Sequence, residues 1–232
     1  MTSTYNDLSQ KTIGQVVTEH PELVKVFMAY EVDFCCGGDR SLEEAVIRDT
    51  DDVEALKAAV SETLATAFQV QAGGKSRLLS TLSDAELIDR IITTHHAYLK
   101  ETLPELSKLI FKLLGVHGES HPELYDVHRV FGTLKNELES HLVKEEVKLF
   151  PAMLRRDDDL VELISTLEAE HDGAGDALHE LTEITDHFKV PSDGCKTYAL
   201  TYEMLKELVS DMYLHVHTEN NILFKRVSEK VY

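Results

Sequence analysis

Tryptophan is absent from the 232 residues, and the chain-breaking residues are scarce, with five prolines and eleven glycines. This leaves little room for a turn-rich β fold and favours an all-α protein of long helices. Cysteine is nearly absent as well: three residues, two of them adjacent, cannot form the framework of a disulfide-stapled domain. Basic residues are few. Lys and Arg total 23 against 42 Asp and Glu, a formal net charge of −19, which argues against nucleic acid or an anionic membrane as a partner held by bulk electrostatics. No run approaches the roughly 18 apolar residues of a membrane span. The opening MTSTYNDLSQ has neither the basic nor the apolar stretch of a secretion signal. The expectation is a soluble cytoplasmic protein, long enough for one substantial domain and a small one.

What is present is helical periodicity. Residues 11–68 hold short helical patterns interrupted by the turn FCCGGDRS, so residues 1–70 are expected to form a small N-terminal helical domain. QAGGKSR is small, polar and glycine-containing and marks a linker at 71–80. Four long periodic segments follow, at about 83–114, 123–150, 158–187 and 195–229, broken by GVHGESHP, PAMLRRDDD and KVPSDG. Ser83 with Glu86 has the spacing of a capping box at the first of them. Long helices joined by short breaks predict an up-down-up-down four-helix bundle over 81–232.

Each helix has an apolar stripe in steps of three and four. The first runs through Ile92, His96, Leu99, Leu103, Leu106, Ile110 and Leu113; the second through Val127, Phe131, Leu134, Leu138, His141 and Glu145, with Leu149 one turn on. The third takes Leu160, Ile164, Leu167, His171, Ala174, Leu178 and Leu181, and the fourth Leu205, Leu208, Met212, His215, Glu219 and Ile222. Every stripe admits a histidine, and two admit a glutamate as well. HLVKEEVKLF at 141–150 and HVHTENNILF at 215–224 are near-repeats, and His96 precedes His141 by 45 residues as His171 precedes His215 by 44. The pattern is a duplication whose six polar side chains face the bundle axis. Two buried carboxylates without partners cost several kcal/mol each, a cost that cations offset directly. Four imidazoles and two bridging carboxylates offer eight donors, which suits two ions sharing Glu145 and Glu219 rather than one. An added oxo or hydroxo bridge would leave each an open position. Imidazole and carboxylate without thiolate suit iron or manganese.

The remaining polar residues divide by angle around their helices. His95 falls off the stripe, His217 is expected to face solvent, and Glu146 to lie on the outer face. Glu137, one turn before His141, and Glu170, beside His171, are candidates for a supporting role around the ligands or for a proton or ion path. His20, His117, His121, His128, His179 and His187 match no stripe and are expected to be ordinary polar positions. Cys35 and Cys36 lie in a glycine-rich turn and are poorly placed to form an unstrained disulfide with each other. Thiolates there could hold iron, join a mixed disulfide or attack a damaged centre, or the pair could simply be small residues in a tight turn. Cys195, at a helix start, is expected to be structural.

DFCCGG at 33–38, HLVKEEVKLFP at 141–151, EHDGAG at 170–175 and HVHTENNILF at 215–224, taken in order, resemble the iron–sulfur cluster repair di-iron family. Its ScdA-like and YtfE-like members join a short ScdA-type domain to a hemerythrin-like HHE bundle. KLLGVHGESHPEL and LHVHTENNILFKRVS look nearest to the ScdA branch; LFKR stands where relatives often have LFP. The resemblance implies a non-haem di-iron centre on His96, His141, Glu145, His171, His215 and Glu219, with manganese the less favoured metal. It implies repair of clusters damaged by nitric oxide or peroxide through labile iron, with Cys35 and Cys36 as relay or client contact. The implied partners are damaged iron–sulfur proteins and a reductant; a homodimer is a separate expectation, from an N-terminal domain too small to bury much on its own. Two other classes compete, an enzyme reducing NO or O2 at the open positions and a hemerythrin-like O2 or NO sensor. Whether the protein counts as an enzyme stays open at this point.

Overall fold

The computed structural model describes residues 4–70, 79–157 and 160–228, and these residues form helices and no strand. The linker expected at 71–80 lies, as far as residue 78, outside the described residues; a 3-10 turn follows at Leu79–Thr81. The chain forms two compact units, Met1–Leu87 with Tyr213–Tyr232, and Ile88–Met212.

In the first unit the helices are short: α1 Tyr5–Leu8, α2 Ile13–Glu19, α3 Val24–Ala29, α4 Leu42–Asp49 and α5 Val53–Val70. Capping boxes start three of them, the first pairing Thr4 with Asp7 at α1. Thr12 and Gln15 bond reciprocally at α2, and Ser41 and Glu44 at α4, each satisfying backbone N–H groups that the first turn leaves open. Their apolar faces meet in one core of Ile13, Val16, Leu23, Phe27, Phe34, Leu42, Val46, Leu56 and Val60, against which Tyr213 also packs. Full burial of a side chain of this size stabilises by about 1.5–3 kcal/mol. Phe34 is central, its ring 6.4 Å from Phe27 and 5.6 Å from Tyr213.

The second unit is a four-helix bundle. α6 Asp84–Ile91, started by the Ser83–Glu86 capping box, leads through a π-turn at Ile92–His96 into α7 Ala97–His117. α8 Glu123–Lys144, a second π-turn at Glu145–Leu149 and α9 Phe150–Arg155 form the next rod, followed by α10 Val161–Ile184 and α11 Lys196–Thr218. Neighbours run antiparallel. The start of α7 meets the end of α8 at His96 and Glu146, Arg129 reaches Glu180 across α8 and α10, and His95 meets Asp211 while His117 meets Cys195 at the two ends of α7 and α11. The stripes form the buried seam as expected. No described helix is long and apolar enough to cross a membrane.

Three departures from the expected pattern have local causes. Ile91, not Ile92, is the fully buried seam residue before His96. Five α-helical residues would swing a side chain by about 140°, and the π-turn takes up that excess. Pro151 does not end the second rod, because the preceding π-turn places it in the first turn of α9, where its missing N–H is not needed. That rod stops at Arg156, which adopts the left-handed conformation, φ 61°. The third segment stops at Ile184, since Asp186, His187 and Phe188 are all left-handed, with φ of 48°, 57° and 59°.

Truncating Phe34 to alanine is expected to destabilise the protein by about 3–5 kcal/mol in urea unfolding. Phe111→Ala, at a ring 70% exposed, should shift stability by no more than about 0.5 kcal/mol.

Candidate metal centre

Four of the six expected ligands lie in the bundle unit, where the stripes deliver them to one end. His96 closes the π-turn ahead of α7, His141 is in the last turn of α8, Glu145 opens the next π-turn, and His171 projects from unbroken α10. All four are buried. Glu145 lies between the histidines: its Oε2 is 3.3 Å from His96 Nε2 and 3.4 Å from His141 Nε2. His141 Nε2 and His171 Nε2 face each other at 3.0 Å. The Phe150 ring stacks on His96 at 5.7 Å.

Two carboxylates outside this set fix the imidazoles. Glu146 Oε1 accepts from His96 Nδ1 at 2.8 Å, and Glu170 Oε2 accepts from His141 Nδ1 at 2.9 Å. Each is held by a lysine in turn: Lys100 on Glu146 at 2.6 and 2.8 Å, and Lys144 on Glu170. Burial alone would raise both carboxyl pKa values, but the lysine and histidine beside each outweigh it and hold them below the ordinary glutamate value.

The consequence follows from donor chemistry. A carboxylate can only accept, so Nδ1 of His96 and of His141 carries the proton and, in the neutral ring, Nε2 presents its lone pair. Two lone pairs therefore point at the Glu145 carboxylate, which is fully buried and receives no hydrogen bond among the described residues. Negative charge facing lone pairs away from water is strongly unfavourable unless a cation lies among them. A carboxylate on one imidazole nitrogen and a metal on the other is the ordinary arrangement of a ligating histidine. The residues fit a metal ion.

The other two expected ligands lie in the first unit, to which the residues of α11 beyond Met212 belong: His215 in the last turn of α11 and Glu219 directly after that helix. His215 Nε2 is 3.1 Å from Glu219 Oε1, and both side chains are buried. Glu219 opens a π-turn, Glu219–Leu223, as Glu145 opens Glu145–Leu149. The sequence repeat is thus also a repeat of backbone geometry, and wide turns of this kind cluster at functional sites.

Several placements differ from those expected. Glu146 is not an outward residue but the partner of His96, brought round by the π-turn that begins one residue earlier. His217 is not solvent-facing. It is buried, donates from Nδ1 to the Phe34 carbonyl at 3.4 Å and lies 3.3 Å from Thr18 Oγ1. Burial holds its pKa down to about 4. Of the two glutamates singled out near the stripes, Glu170 bonds His141, whereas Glu137 is exposed on α8. His95 pairs with Asp211 at 2.8 Å. Cys195 is exposed, 3.3 Å from His117 Nε2.

Cys35 and Cys36 lie in the first unit, in a turn built on Asp33. Its Oδ1 accepts from the N–H groups of Cys35 and Cys36 at 3.0 and 3.1 Å, and its Oδ2 from that of Gly37 at 2.8 Å. Arg40 bonds the Asp33 carbonyl and both oxygens of Asp49. The two sulfurs are 3.9 Å apart, Cys35 buried and Cys36 half-buried. The Cys36 sulfur beside it and its own burial push the Cys35 thiol pKa well up.

Residues 87–227 match the hemerythrin HHE cation binding domain, and residues 9–65 match ScdA_N, a domain of unknown function (DUF542). The first match contains the six His and Glu positions, the second the two adjacent cysteines. The iron-sulfur cluster repair protein YtfE of Enterobacter sp. (strain 638) is 33% identical, covering 92% of this chain and 94% of its own. A probable iron-sulfur cluster repair protein of Haemophilus influenzae is 32% identical over 94% and 97%. The iron-sulfur cluster repair protein ScdA of Staphylococcus haemolyticus is 29% identical over 95% and 99%. Identities so close do not separate the two branches.

Glu146→Gln and Glu170→Gln should each weaken ferrous iron binding roughly 10- to 100-fold in chelator competition. Glu137→Gln should leave it unchanged.

Proposed function

The chain belongs to the hemerythrin HHE family of iron–sulfur cluster repair proteins, and on that premise we propose that it restores iron–sulfur clusters damaged by oxidative or nitrosative stress by supplying labile iron. The observation that carries this reading is the Glu145 carboxylate, buried among imidazole lone pairs. That arrangement is unfavourable unless a cation lies among these groups. His96, His141, Glu145, His171, His215 and Glu219 would hold two iron ions, with Glu145 and Glu219 each shared between them. Iron held there supplies a redox-active cation, with manganese the lesser candidate.

What the residues contribute is a grip of limited strength. Six side chains for two ions leave open positions and no thiolate, in contrast to the closed sulfur-rich sites that hold structural zinc. Glu146 and Glu170 keep Nε2 of His96 and His141 unprotonated and so available to an ion. Glu170 is about one-third exposed, which places a carboxylate between solvent and His141 and suits it to a path for iron or a proton. Cys36 is the better-exposed thiol of the turn and the one suited to touch a client or relay iron. The reading also includes a cytoplasmic location, in keeping with thiols that are not paired in disulfides, and a separate electron donor.

The test is recovery of a client. Iron-loaded protein mixed anaerobically with a NO-damaged [4Fe–4S] dehydratase should restore its activity faster than an equal amount of free ferrous salt. A Cys36→Ser variant should lose that advantage while keeping its iron. Recovery no faster than with the salt, with consumption of NO or O2 by the reduced protein, would replace repair by gas reduction at the site.

A further inference from the structure

Two series of contacts end on Glu145, and each begins at a lysine on the surface. Lys100 follows His96 by four residues and Lys144 follows His141 by three, so each stands one helical turn beyond the histidine it serves. Lys100 reaches from α7 to Glu146 in the π-turn after α8, and Lys144 from the end of α8 to Glu170 on α10. Each ion pair therefore joins two rods of the bundle that carry expected ligands.

The contacts fix orientation as well as distance. Lys100 Nζ lies 2.6 Å from Glu146 Oε1 and 2.8 Å from Oε2, so the ammonium grips both oxygens and sets the plane of the carboxylate. Oε1, held in that plane, is the atom that accepts from His96 Nδ1 at 2.8 Å. At Glu170 the donors are divided: Oε2 accepts from His141 Nδ1 at 2.9 Å, and Oε1 takes Lys144. Both glutamates are partly exposed, so water competes for their oxygens, and an untethered glutamate would sample many rotamers. The two imidazoles are buried, whereas the lysines are 54% and 35% exposed. The aim of each buried ring is thus braced from the solvent side.

We infer that Lys100 and Lys144 are positioning residues of the metal centre: each holds the carboxylate that aims a ligating imidazole, and part of the grip on iron is set at the protein surface. The inference rests on the reading of His96 and His141 as iron ligands. Its sign separates it from bulk electrostatics. The chain carries a net charge of −19, and removing a lysine makes it more acidic, which by long-range attraction strengthens the binding of a cation. Loss of a brace weakens it. The brace is also an exposed ion pair, so salt erases it, the screening length falling to about 3 Å at 1 M.

Chelator competition for ferrous iron tests this on the full chain, with wild type, Lys100→Met, Lys144→Met and Lys100→Arg. Lys108, which pairs with Glu105 at 3.3 Å and is 75% exposed, lies two turns past Lys100 on α7, and Lys108→Met makes the same change of charge there. At low ionic strength Lys100→Met and Lys144→Met should each bind iron about three- to fivefold more weakly, the upper range for an exposed ion pair. Lys100→Arg should restore the affinity, Lys108→Met should not lower it, and at 1 M salt all should converge on wild type. Affinity unchanged or raised in either of the first two variants overturns the inference for that lysine. An equal loss in Lys108→Met, or a loss that persists undiminished at 1 M salt, overturns it for both. In the metal-free protein the hydrogen-bonded Nδ1 protons of His96 and His141 should give sharp, far-downfield NMR signals that broaden in the matching methionine variant. If the wild type takes up no iron, the reading of the ligands falls, and these signals still decide the brace: equal sharpness in the variants overturns it.

Discussion

A carboxylate buried against imidazole lone pairs is the constraint on which the rest depends. Glu145 is fully buried, and the two nearest Nε2 atoms are kept unprotonated by Glu146 and Glu170. Removing an ionised carboxylate from water is unfavourable by several kcal/mol even after relaxation, against a net stability of about 5–15 kcal/mol for a whole domain. The long helices and their Leu-rich stripes make such a centre tolerable, because the seam buries enough apolar surface to hold the ligands in place. Lys100 and Lys144 then neutralise the outer carboxylates, so the arrangement is layered from lysine to glutamate to histidine to Glu145.

The duplication extends this logic. His141 with Glu145, and His215 with Glu219, place a histidine and a glutamate one turn apart, with a π-turn opening at each glutamate. An extra residue in a helix is a local cost, and its recurrence at the same place in both repeats ties it to the His–Glu pairs rather than to packing. The same device turns Glu146 toward His96.

Much of this was legible in the sequence, because the apolar stripes have the helical period and the six polar interruptions break them in a repeated pattern. The all-α class, the antiparallel bundle and the Ser83 cap follow from local rules that the structure obeys. What could not be read depends on the π-turns and on distant partners. A heptad assigned Ile92 to the seam where Ile91 is buried, since a three-and-four spacing has no place for a five-residue step. The outer face that the same spacing gives Glu146 fails for the same reason. His217 was expected in water because its own helix gives no hint of Thr18 and Phe34, which lie 199 and 183 positions away in the chain.

The central proposal is that the two His–Glu repeats and their single histidines would hold two iron ions, with Glu145 and Glu219 shared between them. The most direct measurement is iron per chain, after anaerobic loading with ferrous iron and removal of the excess by gel filtration, for wild type and for Glu145→Ala. The account predicts two iron ions in the wild type and the loss of both in the variant, because each ion depends on Glu145. One iron in the wild type, or two retained by Glu145→Ala, would contradict it.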